Sequence, residues 1–179
     1  PHPGAGLWMT LVERPRGGEG LDVLSLRVGL RLAPVLERWT EAPISLKWPN
    51  DLFVRHRKLA GVLIEARWRG AHPDWVAVGL GINLVVPRDL PDATALHGAR
   101  AEEVLSEILP VLRAAAFARG PLTAEELAEF ARRDLAAGRR VSLPTDGTAR
   151  GISPAGELLV ETAYGVQPHR AGSLVFAST

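Results

Sequence analysis

Lys47-Trp48-Pro49-Asn50-Asp51 closes one short apolar run and opens another, and its reading decides how the rest of the chain is organised. Upstream of the turn, Ile44, Leu46 and Trp48 alternate with Ser45 and Lys47, the period-two pattern of a half-buried strand. On that pattern Lys47 leaves the strand on the face opposite Trp48, just where Pro49-Asn50-Asp51 turns the chain. Reacting groups in α/β folds commonly sit at such strand ends. A fixed ammonium there stabilises negative charge developing on a phosphate or carboxylate oxygen. The competing reading is a solvated lysine before an ordinary turn, the usual place for a lysine.

Downstream of the turn, Leu52 to Arg55 and Leu59 to Arg67 pattern as a hairpin around His56-Arg57-Lys58. Trp75 to Val86 is a long apolar strand interrupted by Gly79 and Gly81. Toward the N-terminus, Leu7 to Val12 reads as a strand and Glu13 to Gly20 as a loop. Between that loop and the turn, apolar residues recur at helical spacing from Leu21 to Trp39, with a kink expected at Pro34. Beyond a Pro-rich loop from Pro87 to Gly98, helices are expected over Ala101 to Arg119 and Ala124 to Ala137. Thr123 and Glu126 are placed to form a capping box for the second. From Arg139 the texture changes to short strands, with Asp146-Gly147 and Ser153-Pro154-Ala155-Gly156 as turns. These patterns give an α/β domain with a small β appendix.

Composition narrows the class. The 179 residues are 46% hydrophobic and 23% charged, which suits one domain plus an appendix and argues against long disorder. A formal net charge of +1 supplies no basic field for nucleic acid. With no cysteine, disulfides and thiolate metal sites are excluded, which fits a cytoplasmic protein. The five histidines share no ligand spacing, so no protein-held metal is expected. No apolar stretch approaches the roughly 20 residues that span a bilayer, and Pro1 to Gly6 lack the regions of a signal peptide. Gly79-Leu80-Gly81 lacks the third glycine of a dinucleotide fingerprint and opens no helix.

The run from Lys47 to Glu65 resembles the signature of biotin protein ligases, and Val78-Gly79-Leu80-Gly81-Ile82-Asn83 is similar to that family's second signature. Pro3-Gly4-Ala5-Gly6-Leu7-Trp8 resembles the segment leading into a family core strand. The C-terminal stretch with Ala171-Gly172-Ser173-Leu174 is similar to the family's terminal Src-homology-3-like barrel. Lipoate ligases share the fold but not the Trp-Pro-Asn-Asp form. The resemblance implies an α/β (α+β) fold with a mixed β-sheet flanked by helices, like class II aminoacyl-tRNA synthetases and biotin ligases. Residues 1–137 would form this catalytic domain and residues 138–179 the small SH3-like β-barrel.

The same resemblance implies ATP-dependent synthesis of biotinyl-5′-adenylate and transfer of biotin to a lysine of a carboxylase carrier domain. Biotin and ATP are the implied ligands, with Mg²⁺ arriving on the nucleotide phosphates. A homodimer is a further possibility in this family. Lys47 matches the lysine set between the biotin carboxylate and the α-phosphate, and Asp51 would hold the incoming carrier lysine or orient Lys47. Trp8 and Leu52 would line the apolar part of the biotin pocket. Gly79 and Gly81 would let the backbone pass close to biotin, Asn83 would reach the adenylate, and Lys58 and Gly61 would shape the adjoining loop. Each role has a structural rival: Gly79 and Gly81 as a bulge, Trp8 and Leu52 as core, Asp51 as a turn stabiliser.

One family element is expected and not found. A Gly/Arg-rich loop, G-R-G-R-x-G-R, grips the adenylate phosphate in the family, and no Gly-Arg-Gly-Arg run occurs between Pro1 and Thr179. The expectation is therefore an N-terminally truncated core, weak or inactive as a ligase by itself. A carrier-docking or dimerisation module without chemistry is the alternative function.

Overall fold

Four consecutive strands joined by tight turns cannot run parallel, and this decides the main sheet. In the computed structural model, which describes residues 5–177, the strands are β1 (Gly6–Glu13), β2 (Ile44–Lys47), β3 (Asp51–Val54), β4 (Arg57–Arg69) and β5 (His72–Asn83). They pair in the order β1-β5-β4-β3-β2, and every ladder is antiparallel. The mixed sheet expected from the family resemblance is therefore corrected, among the described residues, to an antiparallel one. The cause is connectivity: β2 through β5 form successive hairpins, and β1 returns to pair with β5 in the opposite sense. Pro3 and Gly4 of the segment leading into β1 lie outside the described residues.

Strand boundaries shift from the sequence expectation where turn chemistry prevails. β5 begins at His72 rather than Trp75, because Gly70 adopts φ 62° and closes a short hairpin with β4. It ends at Asn83, and the chain then turns to hydrogen-bond Ala5 through the amides of Leu84 and Val85.

Three helices cover one face of this sheet: α1 (Leu24–Leu36), α2 (Ala101–Phe117) and α3 (Ala124–Arg133). α1 buries Leu24, Val28, Leu32 and Leu36, and α2 answers with Val104, Ile108 and Leu112, stripes spaced by four residues. They meet Leu46, Val62, Val78, Leu80 and Ile82 from the sheet, forming one core. Pro34 lies inside α1 without breaking it; three residues later the helix tightens into the 3-10 turn Glu37–Trp39. α3 stops at Arg133, short of the expected Ala137, because Asp134 forms a parallel bridge with Leu46 and the Leu135 amide donates to the Leu46 carbonyl.

The second sheet contains β6 (Arg140–Leu143), β7 (Gly147–Ile152), β8 (Leu158–Thr162), β9 (Gly165–His169) and β10 (Val175–Phe176), in the order β10-β6-β7-β8-β9. Its Ser153–Gly156 turn seats against Leu122 and the end of β2. The Pro154 carbonyl accepts from Leu122 N–H at 2.8 Å, and the Gly156 carbonyl accepts from the indole N–H of Trp48 at 2.9 Å.

The capping box at α3 is present and does more than cap. Thr123 and Glu126 exchange side-chain and backbone hydrogen bonds, and Glu126 also receives Arg27, whose guanidinium is 1% exposed, through contacts of 2.7 and 3.0 Å. Burial opposes ionisation of Glu126, but the bonds from Arg27 and the Thr123 amide outweigh it and hold the carboxyl below its ordinary range. A depressed carboxylate stabilises the fold above its unfolded-state pKa, and that contribution fades as pH falls through the folded value. Glu126→Ala is expected to destabilise by about 3 kcal/mol at neutral pH, since it strands a buried guanidinium. Thr123→Ala should cost about 1 kcal/mol. Urea unfolding of both variants checks this, and a Glu126→Ala loss that does not shrink on acidification would contradict the assignment.

Candidate active site

The antiparallel register draws a straight row across the uncovered face. Lys47 pairs with Asp51, Asp51 with Gly61, Gly61 with Gly81, and Gly81 with Trp8. Residues directly opposite on neighbouring strands share a face. The row therefore puts a cation and a carboxylate at one end, bare backbone in the middle and an aromatic wall at the other. A parallel row, Leu63-Gly79-Thr10, extends the bare floor.

Close approach of neighbouring side chains leaves little room for a Cβ on two of these glycines. A Cβ on Gly61 would lie 3.2 Å from Asp51 Oδ1, and one on Gly81 would lie 3.3 Å from Trp8 Cδ1. The ladders run without a slip through Gly79 and Gly81, so neither marks a bulge. Over this floor lies a groove of about 530 Å³, walled by Trp8, Thr10, Asp51, Lys58 and Leu63. A neighbouring hollow of about 460 Å³ shares Trp8, Lys58, Gly61 and Gly81 and runs on to Asn83 and Pro91. Trp8 is half exposed, which suits a wall facing a ligand more than a core residue.

Polar contacts hold the rim. Lys58 Nζ lies 2.6 Å from Asp51 Oδ1. The Asn83 side-chain amide donates to the Thr94 carbonyl at 3.0 Å, while Lys58 exchanges backbone hydrogen bonds with Asp92 and Thr94. The Pro-rich segment is thereby laced to the rim. Asn50 is a residue that the sequence reading quoted but did not place in the site. It lines the groove, its side chain donates to the Val62 carbonyl at 2.6 Å, and its own carbonyl accepts from Val62 N–H at 2.9 Å. Its position beside Asp51 was the available signal.

Leu52 needs correction. It is 1% exposed and faces the helices near Gly29, not the groove. The period of two explains it: with Asp51 on the open face, the next residue must point into the core.

Lys47 stands at the end of the row, beyond Asp51. Its Nζ lies 5.7 Å from the ring centres of both Phe53 and Phe176. Burial pushes its pKa below the ordinary lysine value; Asp51 opposes that shift, and the positive charges of Lys58 and Arg139 add to it. Lys47 and Lys58 are the chain's two lysines, against 19 arginines. Both stand at this site. The arrangement can neutralise an anion above a floor thin enough for a flat ligand to lie on.

The sequence pattern of the biotin/lipoate A/B protein ligase family matches residues 2–83. The biotin–acetyl-CoA-carboxylase ligase of Paracoccus denitrificans is 32% identical over 188 residues, covering 93% of this chain and 78% of that protein. The bifunctional ligase/repressor BirA of Escherichia coli is 35% identical over 86 residues, covering 48% of this chain; the chain spans only 27% of that relative's length. Among solved structures, the biotin protein ligase of Aquifex aeolicus in complex with biotin and ATP superposes with a TM-score of 0.79 at 28% identity. That match covers 98% of this chain and 79% of the other.

Asp51→Asn tests the electrostatics of the row. It removes the carboxylate that favours the Lys47 ammonium, so Lys47 is expected to lose its proton at still lower pH. Isotope labelling of lysine with NMR titration reads both amines separately. A Lys47 midpoint that stays put or rises would contradict the coupling.

Proposed function

This chain belongs to the biotin protein ligase family, and on that premise we propose that it joins biotin to ATP and passes the biotinyl group to a lysine of a carboxylase carrier domain. The observation that carries the reading is the cross-strand row, which sets one cation and one carboxylate at the edge of a glycine floor. Two anions, a carboxylate and a triphosphate, must approach each other in this reaction. Positioning and charge neutralisation are therefore the catalyst's main tasks.

In this reading biotin lies on Gly61, Gly79 and Gly81 against Trp8, with its carboxylate directed toward Lys47. The ammonium offsets the repulsion between the reactants and stabilises charge on the α-phosphate as the acyl–phosphate bond forms and pyrophosphate leaves. Asn83, with the segment it laces down, borders the nucleotide. Mg²⁺ enters through the phosphates, as expected for an ion that keeps few protein ligands. In the same reading Asp51, bonded to Lys58, holds the incoming carrier lysine or orients Lys47. Residues 1–137 would form the catalytic domain, related in fold to class II aminoacyl-tRNA synthetases, and residues 138–179 the SH3-like barrel.

A polypeptide of these 179 residues is expected to make the adenylate slowly, since its sequence holds no Gly-Arg-Gly-Arg run to grip the phosphate. Binding is therefore the sharper test. Calorimetry should detect biotinyl-5′-adenylate on the folded chain, with affinity falling about tenfold or more in Lys47→Ala, the loss of one charge-assisted contact. Gly81→Val should block biotin by filling the floor. A folded chain that binds neither ligand, or prefers lipoyl-adenylate, would overturn the proposal; carrier-domain binding without adenylate binding would point to the docking module.

A further inference from the structure

We propose that Phe176 and Arg139, both carried by the C-terminal sheet, are positioning residues for the Lys47 ammonium. The inference rests on the reading of Lys47 as the reaction's cation, but its geometry stands apart from the groove. Lys47 reaches out from the edge strand β2, and an ammonium on a four-carbon stem is mobile unless something confines it. Phe53, from the neighbouring strand, supplies one aromatic surface, and Phe176 supplies another, each 5.7 Å from Nζ. A cation at this distance is held by the ring quadrupole.

Phe176 is itself fixed. It pairs with Val141 in the β6–β10 ladder, and the next residue, Ala177, donates its amide to the Arg140 carbonyl at 3.1 Å. The Arg139 guanidinium carbon lies 3.5 Å from the centre of the Phe176 ring, a stacking distance. Arg139 is in turn anchored on both sides: its amide donates to Ala136 and its carbonyl accepts from Ala149.

The pairing of the other arginines in this sheet makes Arg139 stand out. Arg140 is bonded to Asp146, Arg150 to Glu161, and Arg170 to Glu157. Among the described residues Arg139 forms no ion pair with a carboxylate; its side chain makes one long contact with the Leu135 carbonyl. An exposed guanidinium without an acid partner, stacked on the ring beside Lys47, adds positive charge where the two anionic substrates are to meet. The charged groups that act on Lys47 are Asp51 from β3, Lys58 from β4 and Arg139 from the segment before β6. Burial of the ammonium and the Arg139 charge both push its proton off more easily. Removing the Arg139 charge should therefore move its titration upward.

The test uses the full chain with isotope-labelled lysine, whose two side chains give separable NMR signals. Arg139→Gln changes an exposed residue with little risk to the fold. Phe176→Ala removes the ring, and Phe176→Tyr restores an aromatic face. The Lys47 midpoint is expected to rise in Arg139→Gln, by more than that of Lys58; in Phe176→Ala the Lys47 side chain should gain mobility, read from relaxation of its Cε signal, and lose it again in Phe176→Tyr. For adenylate formation, kcat should drop about three- to fivefold in Arg139→Gln and Phe176→Ala, the scale of one cation–aromatic contact, while KM for biotin changes less than twofold. An unmoved Lys47 midpoint in folded Arg139→Gln, or unchanged Lys47 Cε relaxation in folded Phe176→Ala, overturns the inference, whatever the activity. A Lys47 signal that shifts as expected in a chain that binds no adenylate keeps the inference and removes the ligase reading instead.

Discussion

The Trp48 indole, 2% exposed with its N–H donated to the Gly156 carbonyl, joins the strand that carries Lys47 to the turn that seats the second sheet. A buried indole N–H needs an acceptor, and here the acceptor comes from 108 residues away in sequence. Because Trp48 must point into the core, Lys47 must point out of it. One alternation thus fixes the direction of the cation, the closure of the core and the docking of the C-terminal strands. The parallel bridge between Leu46 and Asp134 secures the same strand along its other edge.

The open face shows a different economy. Bare glycine backbone forgoes side-chain packing and raises the entropy lost on folding, yet Gly61 and Gly81 let Asp51 and Trp8 lie close over the sheet. The helices compensate from below, with α1 and α2 burying continuous apolar stripes against the same strands. Stability is gathered on one side of the sheet and spent on shape on the other. Lys47 shares in this tension, since its partial burial disfavours the charge that Asp51 supports.

Local patterns were legible where a short window held all the information. The alternation from Ile44 to Trp48 and the Thr123–Glu126 capping box both follow from residues within five positions of one another. The register across β1, β5, β4, β3 and β2 could not be read that way, because it depends on which hairpins pair; the expected mixed sheet came from the family resemblance instead. Leu52 was assigned to the pocket by resemblance, although its neighbour Asp51 already committed it to the core. Phe176 and Arg139 left no signal near Lys47, being separated from it by most of the chain. Only the folded arrangement brings their rings and charges together.

The distribution of amines has a chemical consequence of its own. An acyl-adenylate is an acylating agent, and any primary amine within reach of it is at risk. The side-chain amines of this protein are Lys47 and Lys58, and the second is bonded to Asp51. The 19 arginines carry guanidiniums, which stay protonated and do not act as nucleophiles at neutral pH. In the proposed reaction these 179 residues thus offer few amines to an activated acyl group escaping from the groove, and so little competition to the carrier lysine.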